Sequence, residues 1–290
     1  MNRLSTKQRA QIVAALVEGN SIRATCRMTG AAKGTVLKLL ADLGKACAEY
    51  QDKAFINLNC KRVQVDEVWS FCYSKSRNVP EKYTEQFGFG DVWTFTSICA
   101  DTKLVPCWKI GRRTAEHAAE FINNLAGRLA HRIQLTSDGY RKYVDAVESS
   151  FSGNVDYAML VKLYGSENAN KNPDTKYSPA ECTGTRISKI NGEPDPKYIS
   201  TSYVERNNLT MRMSMRRFTR LTNAFSKKVE NLGHAVSLHF MYYNFARIHQ
   251  TLRVTPAMEA GISDHVWSVE EIAGLLDRHQ AVALRLASKN

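Results

Sequence analysis

The stretch at residues 62–71 reads RVQVDEVWSF and holds two adjacent acids, Asp66 and Glu67, among β-branched and aromatic residues. Residues of this kind in a short run predict a β-strand. Two runs of similar character follow, DVWTFTSICA at 91–100 and LVPCWKI at 104–110, with a short polar connection between them. Such a tight connection predicts that these two strands are antiparallel neighbours.

Helix and strand patterns then alternate along the chain. Thr114 precedes an amphipathic helix at 115–130, the run IQLTS at 133–137 predicts a short buried strand, and a helix at 141–151 leads to a strand at 157–163. This order of elements predicts a mixed sheet with helices packed on its faces. The expected fold class is therefore α/β.

Two acids occupy strand positions that can converge. Asp66 lies within the first strand, and Asp138 comes directly after the strand at 133–137. Buried like charges are costly unless a cation neutralises them, and carboxylate oxygens suit Mg²⁺ or Mn²⁺. Two such ions would serve an in-line phosphoryl transfer. The simpler interpretations are an ordinary turn for Asp138, an exposed edge position for Asp66 and a structural role for Glu67 on the opposite face of the strand.

A third acid, Glu205, begins a cationic segment. The sequence SYVE at 202–205 matches a capping box, so capping of a long helix could by itself explain Glu205. Helical spacing would place Asn208, Arg212 and Arg216 on the face of Glu205, which suits a phosphodiester bound beside a metal. No acid lies between residues 206 and 228, and the cations there are Arg206, Arg212, Arg216, Arg217, Arg220, Lys227 and Lys228.

Residues 1–45 predict three helices, the third at 32–43. Two short helices joined by a glycine-containing turn, after a longer helix, are typical of a helix-turn-helix. In that interpretation the third helix enters the major groove of DNA and presents Lys33, Thr35 and Lys38. The alternative is a three-helix bundle that serves oligomerisation.

Composition narrows the class of partner. The chain has 290 residues and a formal net charge of +12, which favours a polyanionic partner where the cations cluster. It has no apolar run long enough for a membrane span, its start lacks a signal-peptide pattern, and its seven cysteines form no Cys-x-x-Cys pair. These features predict a cytoplasmic protein with no membrane partner, zinc ribbon or disulfide framework.

Three motifs together carry a family resemblance. VDEVWS at 65–70, TSDGY at 136–140 and YVERNNLTMR at 203–212 resemble, in order, the catalytic blocks of bacterial DDE transposases, above all the insertion-sequence-one family. The arginine-rich stretch that ends in FSKK at 225–228 is similar to the corresponding segment of that family. The resemblance covers about residues 61–228. The chain departs from some relatives in lacking an N-terminal zinc finger, and its insertion before the third motif is long.

The resemblance implies a fold and an activity. It implies a ribonuclease H-like mixed sheet flanked by helices, with Asp66, Asp138 and Glu205 as a catalytic triad that holds two Mg²⁺ or Mn²⁺ ions. The implied activity is that of an insertion-sequence transposase, which binds terminal inverted repeats and performs metal-dependent DNA cleavage and strand transfer. Its partners would be double-stranded DNA and further copies of itself at the bacterial nucleoid, and no small-molecule substrate is expected.

The domain organisation follows from these predictions. We expect a helix-turn-helix domain at 1–45, a linker at 46–61, a ribonuclease H-like catalytic domain at 62–250 with a polar insertion at 165–200, and a C-terminal helical extension at 251–290.

Rival functions belong to other classes. A sequence-specific regulator would need the N-terminal helices and the basic charge but no carboxylate triad. A transposase-derived protein without activity would keep the fold and bind DNA without cleaving it. A metal-dependent nuclease would hydrolyse DNA and never join strands.

Overall fold

A computed structural model of the protein describes residues 4–164, 182–219 and 222–287. The first part of the expected insertion, 165–181, lies outside the described residues, as does Arg220. In chain order the helices and strands are α1 (Thr6–Val17), α2 (Ile22–Thr29), α3 (Lys33–Ala54), β1 (Arg62–Cys72), β2 (Gly90–Cys99), β3 (Trp108–Gly111), α4 (Ala115–Ala126), β4 (Ile133–Ser137), α5 (Lys142–Phe151), β5 (Val155–Tyr164), β6 (Cys182–Asn191), α6 (Ser202–Ser214), α7 (Val229–Phe245), α8 (Pro256–Glu259) and α9 (Val269–Ala287).

The strands form one mixed six-stranded sheet in the order β3-β2-β1-β4-β5-β6. Strands β1, β4 and β5 are parallel, whereas β2, β3 and β6 are each antiparallel to the strands they pair with. The expected α/β class and the antiparallel pairing of β2 with β3 are thus confirmed. This sheet, flanked by helices, is consistent with the ribonuclease H-like fold that the resemblance implies.

Alternation along β1 gives the sheet two buried faces. Val63 and Val65 pack in a cluster with Phe121 of α4 and Tyr143 of α5. On the other face, Val68 packs in a cluster with residues of α6 and α7. Because successive side chains of a strand point to opposite faces, β1 is apolar on both sides, as a central strand covered by helices must be.

Three N-terminal helices form where they were expected, but the third is longer than predicted. Helix α3 continues to Ala54, and Cys47 and Gln51 on it are buried against the rest of the protein. Gln51 Nε2 donates a hydrogen bond of 3.2 Å to the carbonyl oxygen of Ser237 on α7. The expected linker at 46–61 is therefore corrected to the packed end of a helix and a short loop.

The contact between α3 and α7 explains why the sequence did not predict the second half of α3. A Cβ at Gly44 would lie 2.6 Å from the Cβ of His234, so the two helices touch backbone against side chain. The buried face of this half of α3 uses Gly44, Ala46 and Cys47 rather than large apolar residues. A helix that packs through small residues has a weak amphipathic pattern in its sequence.

Other expected bounds also change. The strand expected at 104–110 is paired at Trp108–Gly111, and the helix expected at 115–130 ends at Ala126. The polar insertion contains an ordered edge strand, β6, paired with β5. In the C-terminal extension, α9 packs against α1 and α3, and Arg9 of α1 forms a 2.8 Å ion pair with Asp277.

Candidate active site

The middle of β1 and the carboxyl end of β4 bring three acids together. The parallel pairing of these strands ends at Val65 and Ser137, and the next residues are Asp66, within β1, and Asp138, directly after β4. One carboxylate oxygen each from Asp66, Glu67 and Asp138 lies within 4.8 Å of the other two. We call these residues the acidic cluster. The convergence of Asp66 with Asp138 follows from the register of the sheet.

Glu67 belongs to this cluster although its side chain lies on the opposite face of β1, as predicted. It is beside Tyr143 of α5, whereas Asp66 contacts Asn208 of α6. Asp66 Oδ1 accepts a hydrogen bond of 2.8 Å from the backbone amide of Glu67, so the Asp66 carboxylate turns along the strand instead of standing straight out from it. The Glu67 side chain is only 1% exposed. Both acids can therefore meet Asp138 although they are consecutive.

Arg113 is a functional candidate that the sequence interpretation missed. It lies between β3 and α4, and its Nη2 is 3.2 Å from Glu67 Oε2 and 3.9 Å from Asp138 Oδ2. The guanidinium carbon stands 4.3 Å from the ring centre of Tyr140 and 5.0 Å from that of Trp93. A cation just before a helix N-terminus is unfavourable because that end of the helix dipole is positive. This was the one signal in the sequence that Arg113 has a role other than stabilising α4.

Asn208 of α6 holds the first acid from the other side. Its Nδ2 donates a 2.7 Å hydrogen bond to Asp66 Oδ2, and its Oδ1 accepts a 3.1 Å bond from the Thr96 hydroxyl on β2. The predicted site residue Asn208 is therefore brought to the acidic cluster. Its contact is with a carboxylate, which fixes the direction in which Asp66 points.

Glu205 lies on α6 beside the cluster and forms an ion pair with a lysine outside it. Its carboxylate forms an ion pair with Lys162 of β5 and accepts a 2.7 Å hydrogen bond from the Thr201 hydroxyl. The expected capping box is absent, because Thr201 precedes the helix and the first amides donate to Gln64 Oε1 of β1. Glu205 is close enough for its charge to raise the pKa values of Asp66 and Asp138.

The carboxyl groups of the cluster have raised pKa values. Burial, and then the charge of Asp138, raise the pKa of Asp66 to about 7. The same two causes raise the pKa of Glu67 to about 7, although Arg113 opposes them. Burial also raises the pKa of Asp138. Like charges held together in a half-buried site favour either a proton or a metal cation.

The donor set fits a hard divalent cation. All the ligand atoms are carboxylate oxygens, the type that Mg²⁺ and Mn²⁺ prefer. Glu67 Oε1 is buried without a hydrogen-bond partner among the described residues, although the Tyr143 hydroxyl lies close enough to lower its pKa. An unsatisfied buried carboxylate oxygen at this position is what a bound cation would satisfy.

The structure does not bring the other predicted DNA contacts to one helix face. Helix α6 ends at Ser214, and Arg216 begins a short 3₁₀ turn, so the expected alignment of Arg216 with Glu205 is wrong. Arg206 and Arg216 are exposed and Arg212 is half-buried. On the first turns of α3, Lys33 and Lys38 are exposed and Thr35 is half-buried.

Comparisons with known proteins give weak structural similarities. No protein-family model matches the chain, and no curated protein matches it. The piggyBac transposase synaptic complex with hairpin DNA is similar with a TM-score of 0.37 and 10% identity, over 93% of this chain and 69% of that one. The Mos1 strand transfer complex is similar with a TM-score of 0.24 and 12% identity, over 84% and 78%. Because both TM-scores are low, the fold assignment rests on the order and directions of the strands.

None of the described helices is long and apolar enough to cross a membrane.

Proposed function

We propose that the protein is a transposase of a bacterial insertion sequence, which binds the terminal inverted repeats of its element and cleaves and joins DNA strands. The observation that carries the proposal is the acidic cluster at the point where the pairing of β1 with β4 ends. Two of the three motifs that resemble a DDE transposase meet there, and the third supplies Asn208 to the same cluster. Sequence order and spatial convergence thus support the same chemistry.

Asp66, Asp138 and Glu205 would hold two Mg²⁺ or Mn²⁺ ions, and Glu67 has a carboxylate oxygen within 4.8 Å of oxygens of the first two acids. Bound ions of this type lower the pKa of water and stabilise charge on phosphoryl oxygens during an in-line displacement. The chain itself prepares the site: Asn208 aims the Asp66 carboxylate, and Arg113 fixes Glu67 beside Asp138.

Cations outside the cluster would bind the DNA. In this proposal Arg206, Arg212 and Arg216 contact the strand near the site, and Lys33, Thr35 and Lys38 read an element end from α3. The partners are double-stranded element ends and target DNA, held by a homo-oligomer at the bacterial nucleoid in the cytoplasm. The helix-turn-helix and catalytic domains remain predicted units of this assembly.

A strand-transfer assay tests the proposal. Purified protein is incubated with Mg²⁺, a plasmid target and labelled duplexes that carry the inverted repeats flanking its gene. We expect the wild type to give joined products. Asp138→Asn should reduce joining by more than the ~100-fold that is typical when a residue that only supports a metal ligand is changed. Asp91→Asn removes the same charge from an exposed position on β2 and should join normally.

The outcomes separate the rival functions. Joining that survives Asp138→Asn would refute the assignment of the metal ligands. Cleavage without joining would favour a metal-dependent nuclease. Retained DNA binding with no cleavage under any divalent metal would favour a transposase-derived or helix-turn-helix regulator.

A further inference from the structure

An open groove begins at the residue that follows Asp138. Its walls come from the start of α5 and from β5 and β6, and its volume is about 520 Å³. Gly139, the residue after Asp138, lines one end, and a Cβ there would lie 3.0 Å from Val161 Cγ2. We call this cavity the β6 groove. None of the three acids lines it, and its link to the candidate active site is Gly139, which follows Asp138 in the chain.

Three cations of the β6 groove lack a partner among the described residues. Arg141, Lys142 and Arg186 line the groove and are exposed. Within residues 4–164, 182–219 and 222–287 they take part in no hydrogen bond or ion pair that would fix them, unlike Lys162 and Arg132 nearby. The lining includes one acid, Asp145. The groove therefore offers free positive charge to an anionic ligand.

The floor of the β6 groove is apolar. Met159, Val161 and Ile190 line it, and Ile190 is 39% exposed. A site with an apolar floor and a cationic rim suits a ligand that has a flat apolar face and a phosphate at each side. A cavity of this size corresponds to a single small ligand.

We propose that the β6 groove binds an unpaired nucleotide of the DNA strand that passes Asp138, with its base on the apolar floor and its phosphates at Lys142 and Arg186. This inference rests on the proposed function for the class of substrate, DNA, and extends it to a single-stranded segment. Duplex DNA cannot place a base on this floor without losing its pairing. The groove would therefore make the protein prefer DNA with unpaired bases beside the reacting strand.

Binding in the presence of EDTA tests the groove separately from any cleavage. The probes are a fluorescent blunt duplex and the same duplex with a short 5′ or 3′ single-stranded overhang, titrated with full-length protein at several salt concentrations. We expect the wild type to prefer one overhang. The double variant Lys142→Ala/Arg186→Ala should lose that preference, with a roughly tenfold weaker affinity for the overhang duplex.

Salt dependence gives a second readout. Each contact to a single-strand phosphate contributes ~0.7 to the slope of log affinity against log salt, so the double variant should lose about 1.4. Lys189→Ala is the matched control, because Lys189 lies on β6 outside the groove lining and is 52% exposed in its side chain. That variant should bind both probes as the wild type does.

Several outcomes would overturn the inference. They are a wild type that binds blunt and overhang duplexes equally and a double variant that weakens both equally. Asp138→Asn should keep the overhang preference while losing strand transfer. If the wild type joins no DNA but shows the groove-dependent preference, the transposase proposal fails and the groove assignment stands.

Discussion

Arg113 lies between two acids and two aromatic rings, and its removal tests whether its charge neutralises these acids. In Arg113→Met the packing is partly kept, but Glu67 and Asp138 lose their cation. Leaving buried charges without a partner should lower the free energy of unfolding by ~1–3 kcal/mol in EDTA. Added Mg²⁺ should restore most of this loss, measured by thermal or urea unfolding.

A surface ion pair provides the control for that experiment. Lys189 of β6 pairs with Glu193 at 3.4 Å, and the two side chains are 52% and 91% exposed. Because exposed pairs contribute little, Lys189→Met should change stability only slightly and equally with and without Mg²⁺. An Arg113→Met variant with wild-type stability in EDTA would contradict a charge-neutralising role for Arg113.

His239 should make the protein sensitive to acid. It is fully enclosed on α7, its Nε2 has no hydrogen-bond partner among the described residues, and burial lowers its pKa to about 3. The unfolded chain binds a proton there near its ordinary pKa of about 6.5, so stability is lost as pH falls from about 6.5 towards 3.

A leucine at this position tests the argument. Between pH 7 and pH 5 the wild type should lose about 2 kcal/mol through His239, at about 1.4 kcal/mol per pH unit below the unfolded pKa. In His239→Leu this part of the loss should vanish, measured by urea unfolding at both pH values. An identical pH dependence in the two proteins would show that the buried imidazole does not carry the effect.

At the scale of elements, the crossing of α3 and α7 depends on one glycine. Gly44→Ala would place a methyl group 2.6 Å from His234 Cβ and 2.7 Å from its Cα. Helices that already touch must then separate, at a cost of typically ~1–3 kcal/mol or more. Gly34→Ala, on the same helix, meets nothing within 4 Å and should be neutral or slightly stabilising through helix propensity. Urea unfolding compares the two variants.

Strands were easier to predict from the sequence than the helix ends. The apolar runs of β1 and β4 are local signals, and both strands form close to the predicted bounds. The edge strand β6 was missed because it is exposed over most of its length and therefore polar. Helix α3 was predicted too short because its second half packs through small residues against α7, and that partner is distant in sequence.

The site was partly predictable for the same reason. Asp66 lies within β1 and Asp138 directly after β4, and the sequence pattern can locate both strands. Glu67 and Arg113 depend on how one carboxylate turns along its strand and on which loop lies above it. Those are consequences of tertiary geometry. Asn208 was predicted to contact DNA from the face of Glu205, which stays a prediction, whereas its hydrogen bond to Asp66 could only be seen in the fold.

At the scale of the whole molecule, the N-terminal helices are built into the rest of the protein. Helix α3 packs on α7, and both α1 and α3 contact α9. A fragment of residues 1–61 should therefore be largely unfolded by circular dichroism, because its apolar face has lost its cover. Limited proteolysis of the full chain should spare residues 46–54. A stable, helical 1–61 fragment would contradict this coupling and support an independent domain.

If the proposed function holds, the continuity of α3 has a consequence for where DNA would be cut. The helix has 22 residues, or about 33 Å, and it carries Lys33, Thr35 and Lys38 at one end and its α7 contact at the other. A helix anchored in this way would fix the spacing along the DNA: the base pairs contacted by its first turns would lie at a fixed phase and distance from the phosphate that reaches the acids. An element end lengthened by half a turn of duplex would present the wrong strand, and the protein would bind it without cutting it.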